Sequence, residues 1–218
     1  MPRLGIVLVS LVIALAASSC ASLPKIRVLH DPLTAQEHLA LGVSYETQGR
    51  TDLAISEYKA ALKKDPDGIG VAPIIFLGNA HAQRGKFKEA SKYYQKTLAQ
   101  DPQNGQVLNN LAWVYLQQGI KLKEAEAMIR QALDQAPNGD PNRPRYLDTL
   151  AEILLAEGRF SEALDLLQEA EALAAQQDDA LLLSHIYEHK ARAYEALDQP
   201  DKATESRQRA TDFTPLKK

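Results

Sequence analysis

Two groups of residues in this 218-residue chain have types and spacing suited to chemistry. The first is His185-Ile186-Tyr187-Glu188-His189. Histidines four apart share one face of a helix, and with a glutamate beside them they could hold zinc and activate water for hydrolysis. Such a site would also need a third ligand on a neighbouring element and a cleft, and no sequence signal marks either. The second is Cys20, the single cysteine, which excludes an internal disulfide and a metal site built from thiolates. No strand-borne phosphate loop and no nucleophile elbow occurs, so the chain is expected not to be an enzyme and to use no cofactor. Zinc-dependent hydrolysis through His185 and His189 is kept only as a third alternative.

The elements that must position any functional residue are legible as a repeated spacing. Gly42, Gly78, Ala112, Ala151 and Ala191 are each followed seven residues later by Gly49, Gly85, Gly119, Gly158 or Asp198. Small residues recur at Ala54, Ala90, Ala125, Ala163 and Ala203, and seven further on at Ala61, Thr97, Ala132, Ala170 and Ala210. Small positions seven apart lie on one stripe of a helix, where two backbones can approach. The glycines fall where an apolar periodic run stops, as a left-handed C-terminal cap requires. Pro66, Pro102, Pro137 and Pro215 fall where a second helix must end. Each unit therefore reads as helix, tight turn, helix, stop, which is the signature of a helical repeat array.

These units resemble tetratricopeptide repeats. The residues that carry the resemblance are Leu41-Gly42, Tyr45, Ala54, Tyr58, Ala61 and Pro66 in the first unit, and Leu77-Gly78, His81, Ala90, Tyr94 and Pro102 in the second. The third supplies Leu111-Ala112, Tyr115, Ala125, Ile129, Ala132 and Pro137, with one extra residue in its turn. The fifth departs from the pattern, with Lys190 in place of Leu and Arg207 in place of an aromatic residue. The resemblance implies an all-α, right-handed α-solenoid of about five hairpins across residues 35–217, with repeats near 35–68, 71–104, 105–139, 144–177 and 184–217. His81 stands where the family has Tyr and is expected to pack between helices. Residues 178–183 lack Gly and Pro, so the flanking helices are expected to lengthen there and the last hairpin to sit offset.

The N-terminus is a separate signal. Arg3 precedes an uncharged, mostly apolar run from Leu4 to Ala17, too short to span a bilayer comfortably, and then Ala17-Ser18-Ser19-Cys20. This segment is similar to the lipobox of bacterial lipoproteins, with Ala17 where Leu is usual. The resemblance implies a signal peptide over 1–19, lipidation of Cys20 and a tether over 20–34. Ala21 and Ser22 after the cysteine point to the outer membrane of a Gram-negative bacterium, on its periplasmic face.

The charge balance of 25 Lys and Arg against 28 Asp and Glu argues against nucleic acid as a partner. In the tetratricopeptide-repeat family the first helix of each hairpin lines a concave groove. Carried over by position, that groove takes Leu39, Val43, Ile75, Asn79, Asn109, Trp113, Leu116, Arg145, Asp148, Glu152 and Arg192. It runs from apolar and amide-rich to charged, which suits an extended or helical peptide held by apolar anchors and backbone hydrogen bonds. The expected function is a lipid-anchored periplasmic scaffold that binds protein partners and assists assembly of an envelope machine, such as a pilus secretin, a polysaccharide exporter or an outer-membrane complex. The alternative is an adaptor regulating peptidoglycan enzymes. Nothing in the sequence sets an oligomeric state.

Overall fold

A computed structural model of the protein describes residues 31–137 and 139–214. The expected signal segment and Cys20 lie outside them, as does Pro215. Among the described residues there are ten helices: α1 (Ala35–Thr47), α2 (Thr51–Lys64), α3 (Ala72–Gln83), α4 (Phe87–Gln100), α5 (Gly105–Gln118), α6 (Leu122–Gln135), α7 (Arg143–Ala156), α8 (Phe160–Gln176), α9 (Ala180–Ala196) and α10 (Pro200–Phe213). Each packs on its neighbours in sequence. The first helices of successive hairpins also touch, α3 with α5, α5 with α7 and α7 with α9, so they form one continuous layer of an all-α solenoid.

The turns follow one template. At Gly49, Gly85, Gly119 and Gly158 the backbone takes φ between 64° and 77°, and Asp198 takes the same conformation at 56°. In each unit the next residue's N–H reaches back to a carbonyl five positions earlier, as in Arg50 to Tyr45 at 2.8 Å, Lys86 to His81 at 2.9 Å and Gln199 to Tyr194 at 2.9 Å. This closes the helix in a Schellman motif, and the left-handed residue is what permits it. The joint after α8 uses the same closure without glycine: Asp178 takes φ 54° and Asp179 N–H reaches Ala174 O at 3.1 Å. Here α8 and α9 each run 17 residues, longer than the 12 to 14 of the other helices. The second of them starts at Ala180 because the Asp179 carboxylate accepts from Leu182 N–H at 3.0 Å.

Sterics explain the choice between glycine and alanine at the first small position. A Cβ on Gly42 would lie 2.4 Å from Tyr58 Cε1, and one on Gly78 the same distance from Tyr94 Cε1. Where the facing residue of the second helix is Ile129 or Leu167, the small position is Ala112 or Ala151. A flat ring seated on the first helix thus requires the absence of a methyl, and a branched aliphatic allows it. Tyr58, Tyr94, Ile129 and Leu167 are all at most 2% exposed, each the central contact of its hairpin.

Hairpins three and four are clamped by ions. Glu126 on α6 is buried and accepts from Arg130 at 2.8 Å and Arg159 at 2.9 Å, with Lys123 at 3.4 Å. Burial pushes its carboxyl pKa up, but these cations more than offset that and hold it near 2.

Candidate functional site

The inner layer of first helices contains one amide-rich hollow. It is lined by Asn79, Ala82 and Gln83 of α3, Tyr94 of α4, and Asn109, Asn110 and Trp113 of α5, and encloses roughly 650 Å³ of open space. The 3.6-residue period brings Asn79 and Gln83 to one face of α3, and Asn109 and Trp113 to one face of α5. The Asn79 carbonyl accepts from the Tyr94 hydroxyl at 2.8 Å and from the Asn110 amide at 3.0 Å. Both bonds fix which way Asn79 faces and turn its own N–H groups away from them. Burial pushes the Tyr94 hydroxyl above its ordinary pKa, so it stays a neutral donor.

Asn109 is different. Its Oδ1 is buried and has no hydrogen-bond partner within the protein. A buried acceptor left unpaired costs about 1–3 kcal/mol. Trp113 is half-buried, packs edge-on to Phe87 at 5.9 Å and also faces the hollow. It both braces the repeat and lines the hollow.

The other expected groove residues divide by environment. Val43 is exposed at 39%, whereas Leu39, Ile75 and Leu116 are half-buried and pack against the apolar core. At the charged end, Arg145 is exposed and paired with Asp179, and Arg192 lies 3.7 Å from Glu152. Asp148 is buried and bonded to His189 Nδ1 at 2.8 Å. Glu152 lies 3.9 Å from Nε2 of the same ring. The charged half of the groove is therefore already self-complementary across hairpins four and five.

That arrangement corrects the zinc reading. Burial opposes protonation of His189, but the bond to Asp148 and the charge of Glu152 more than offset it and raise its pKa. The ring is taken up in a contact between hairpins four and five. His185 is exposed, and among the described residues no group of three His, Cys, Asp or Glu is arranged to hold a metal ion. Sequence reasoning named Asp148 and Glu152 but missed their partner His189, 41 residues away from Asp148. It also missed Asn110, Gln83 and Tyr94 as lining residues. Asn110 was the most accessible of these, since it adjoins Asn109.

Comparison with known proteins agrees with this geometry. Residues 26–69, 81–153 and 144–169 match three family models, each described as tetratricopeptide repeat. Photosystem I assembly protein Ycf3 of Rippkaea orientalis is 32% identical over 111 residues, covering 44% of this chain and 64% of that protein. ALBINO3-like protein 3, mitochondrial, of Arabidopsis thaliana is 29% identical over 154 residues, covering 64% of this chain and 27% of that protein. The crystal structure of MamA superimposes with a TM-score of 0.60 at 18% identity, over 82% of this chain and 91% of that one, which is a likeness of fold. The chain spans less than two thirds of the length of the curated relatives it matches. Their names overturn the expected localisation at the periplasmic face of an outer membrane: the relatives are a photosystem I assembly protein and a mitochondrial protein. That expectation rested wholly on residues 1–22, which lie outside the described part, whereas the similarity resides in the repeats. No described helix is long and apolar enough to cross a membrane. The repeats make a protein-interaction scaffold.

Proposed function

We propose, for a chain that belongs to the tetratricopeptide-repeat family, that it holds an extended peptide segment of a partner protein in the hollow between α3 and α5 during assembly of a larger complex. The observation that carries this reading is the buried, unpartnered Asn109 Oδ1 beside Trp113. A peptide N–H would satisfy that acceptor, the Asn79 amide would donate to a peptide carbonyl, and an apolar side chain would lie on the indole edge. The name of the relative Ycf3, an assembly protein for a multi-subunit complex, supports the same reading. The charged end contributes rigidity, because Asp148, Glu152, His189 and Arg192 engage one another.

The test uses peptides selected from a random displayed library on the immobilised protein. Asn109→Ala should weaken the selected peptides about tenfold, the worth of one buried hydrogen bond to an otherwise unpaired group. Unchanged affinity in Asn109→Ala would refute the assignment of the hollow.

A further inference from the structure

A second hollow shares no residue with the groove. It is lined by Lys59 of α2, His81 of α3, and Glu89, Lys92, Tyr93 and Lys96 of α4, around roughly 730 Å³ of open space. His81 is only 8% exposed, and its Nδ1 is buried without a hydrogen-bond partner. The ring is stacked on Tyr93 at 5.4 Å, with the planes 11° apart, so it is held in place. Packing between helices, the role its place in the repeat suggests, accounts for the stacked ring but leaves Nδ1 unexplained.

The charges around it are lopsided. Lys59, Lys92 and Lys96 are exposed, and among the described residues none of them forms an ion pair with a carboxylate. Glu89 is the one carboxylate lining the hollow, so the lining carries a net charge of about +2. Burial and then the neighbouring Lys59 lower the pKa of His81, with Glu89 opposing them. A neutral imidazole keeps one N–H, and with its tautomer placing that proton on Nδ1 the ring holds an unused donor in the wall of a cationic hollow.

We propose that this hollow binds a phosphoryl group. A phosphate carries between one and a half and two negative charges near neutral pH and offers three acceptor oxygens, matching the charge of the lining. His81 Nδ1–H would supply the fixed, buried hydrogen bond, and the three ammonium groups the charge-assisted ones. Tyr93 closes the side of the site and keeps the imidazole plane from turning.

The experiment is an NMR titration of the full chain with inorganic phosphate and, separately, phosphoserine, following the imidazole resonances of His81. Saturable shifts confined to His81, Tyr93 and the three lysines are expected, together with a rise in the His81 pKa as the anion relieves the positive field. Lys92→Gln/Lys96→Gln, at exposed positions that leave the fold intact, should weaken binding about tenfold. Matched sodium chloride giving equal shifts, or no loss in the double variant, would overturn the proposal. So would saturation by an unphosphorylated acidic peptide with phosphate inert. Co-sedimentation with phosphatidylcholine vesicles containing about one-fifth phosphatidic acid separates the sources. Sedimentation lost in the double variant identifies a lipid phosphate as an accepted form, and its absence alongside phosphoserine binding assigns a free or protein-borne one.

Discussion

Replacing Gly78 by alanine tests the packing rule that shapes every hairpin. An ideal Cβ there lies 2.4 Å from Tyr94 Cε1, 2.7 Å from Cδ1 and 3.0 Å from Cζ. Carbon pairs are comfortable at about 3.5–4.0 Å, so the methyl overlaps the ring by more than an ångström. Tyr94 has no easy escape: it is 2% exposed and its hydroxyl is bonded to Asn79. Overpacking of this kind costs about 1–3 kcal/mol, and displacing the ring also threatens a hydrogen bond worth about 1 kcal/mol. The gain in helix propensity returns only about 1 kcal/mol. The net expectation is a loss of about 1–3 kcal/mol, a fall of roughly 2–12 °C in melting temperature for a domain of this size. Urea and thermal unfolding followed by circular dichroism measure it. Adding Tyr94→Ile recreates the Ala112–Ile129 pair already present in the next repeat, so the double variant should be more stable than the sum of the single changes by about 1 kcal/mol. A stabilising Gly78→Ala, or strict additivity with Tyr94→Ile, would refute the steric argument.

Three further outcomes follow from the same contacts. Glu126→Gln should cost about 1–3 kcal/mol by weakening the bonds to Arg130 and Arg159. Because the Glu126 pKa is depressed to about 2, its stabilisation is present above the unfolded carboxylate range near 4.5 and fades as pH falls through the folded value; the variant's urea midpoint should change less across that window. His189 has a raised pKa, so its contribution is full below the unfolded value near 6.5 and is lost as pH rises through the folded one. Asp148→Asn should abolish that excess stability at mildly acid pH, read from unfolding at about pH 5.5 and 8.5. At the turns, Gly85→Ala should lower stability by about 1–2 kcal/mol because φ is 67°, whereas Asp198→Gly at φ 56° should raise it by about 0.5 kcal/mol in the same assay.

The parts of the fold that the residues disclose are those set by local sterics. Gly42 and Gly78 mark close approaches and Gly49, Gly85, Gly119 and Gly158 mark left-handed turns, so spacing alone yields the hairpins. Asp178 carries a fainter signal: aspartate enters the left-handed region more readily than most residues, but far less distinctively than glycine, so its φ of 54° does not stand out in the sequence. The groove was legible as positions but not as partners. Asp148 reads as an acid free to meet a guest until folding brings His189 beside it from the next hairpin. Leu39 reads as an anchor, but folding packs it, half-buried, against the apolar clusters that contain Ile55, Tyr58 and Ala61. The unpaired Asn109 Oδ1 and His81 Nδ1 are properties of three-dimensional neighbourhoods, and no sequence pattern foretells a missing partner.

Trp113 is the chain's single tryptophan, and it lines the candidate groove, so the protein carries its own reporter. The most direct measurement is the fluorescence of Trp113 during titration with a peptide selected for binding. A saturable change in emission, weakened about tenfold by Asn109→Ala at unchanged melting temperature, is the predicted result. A peptide that binds with full affinity while Trp113 emission stays constant, and that ignores Asn109→Ala, would contradict the account.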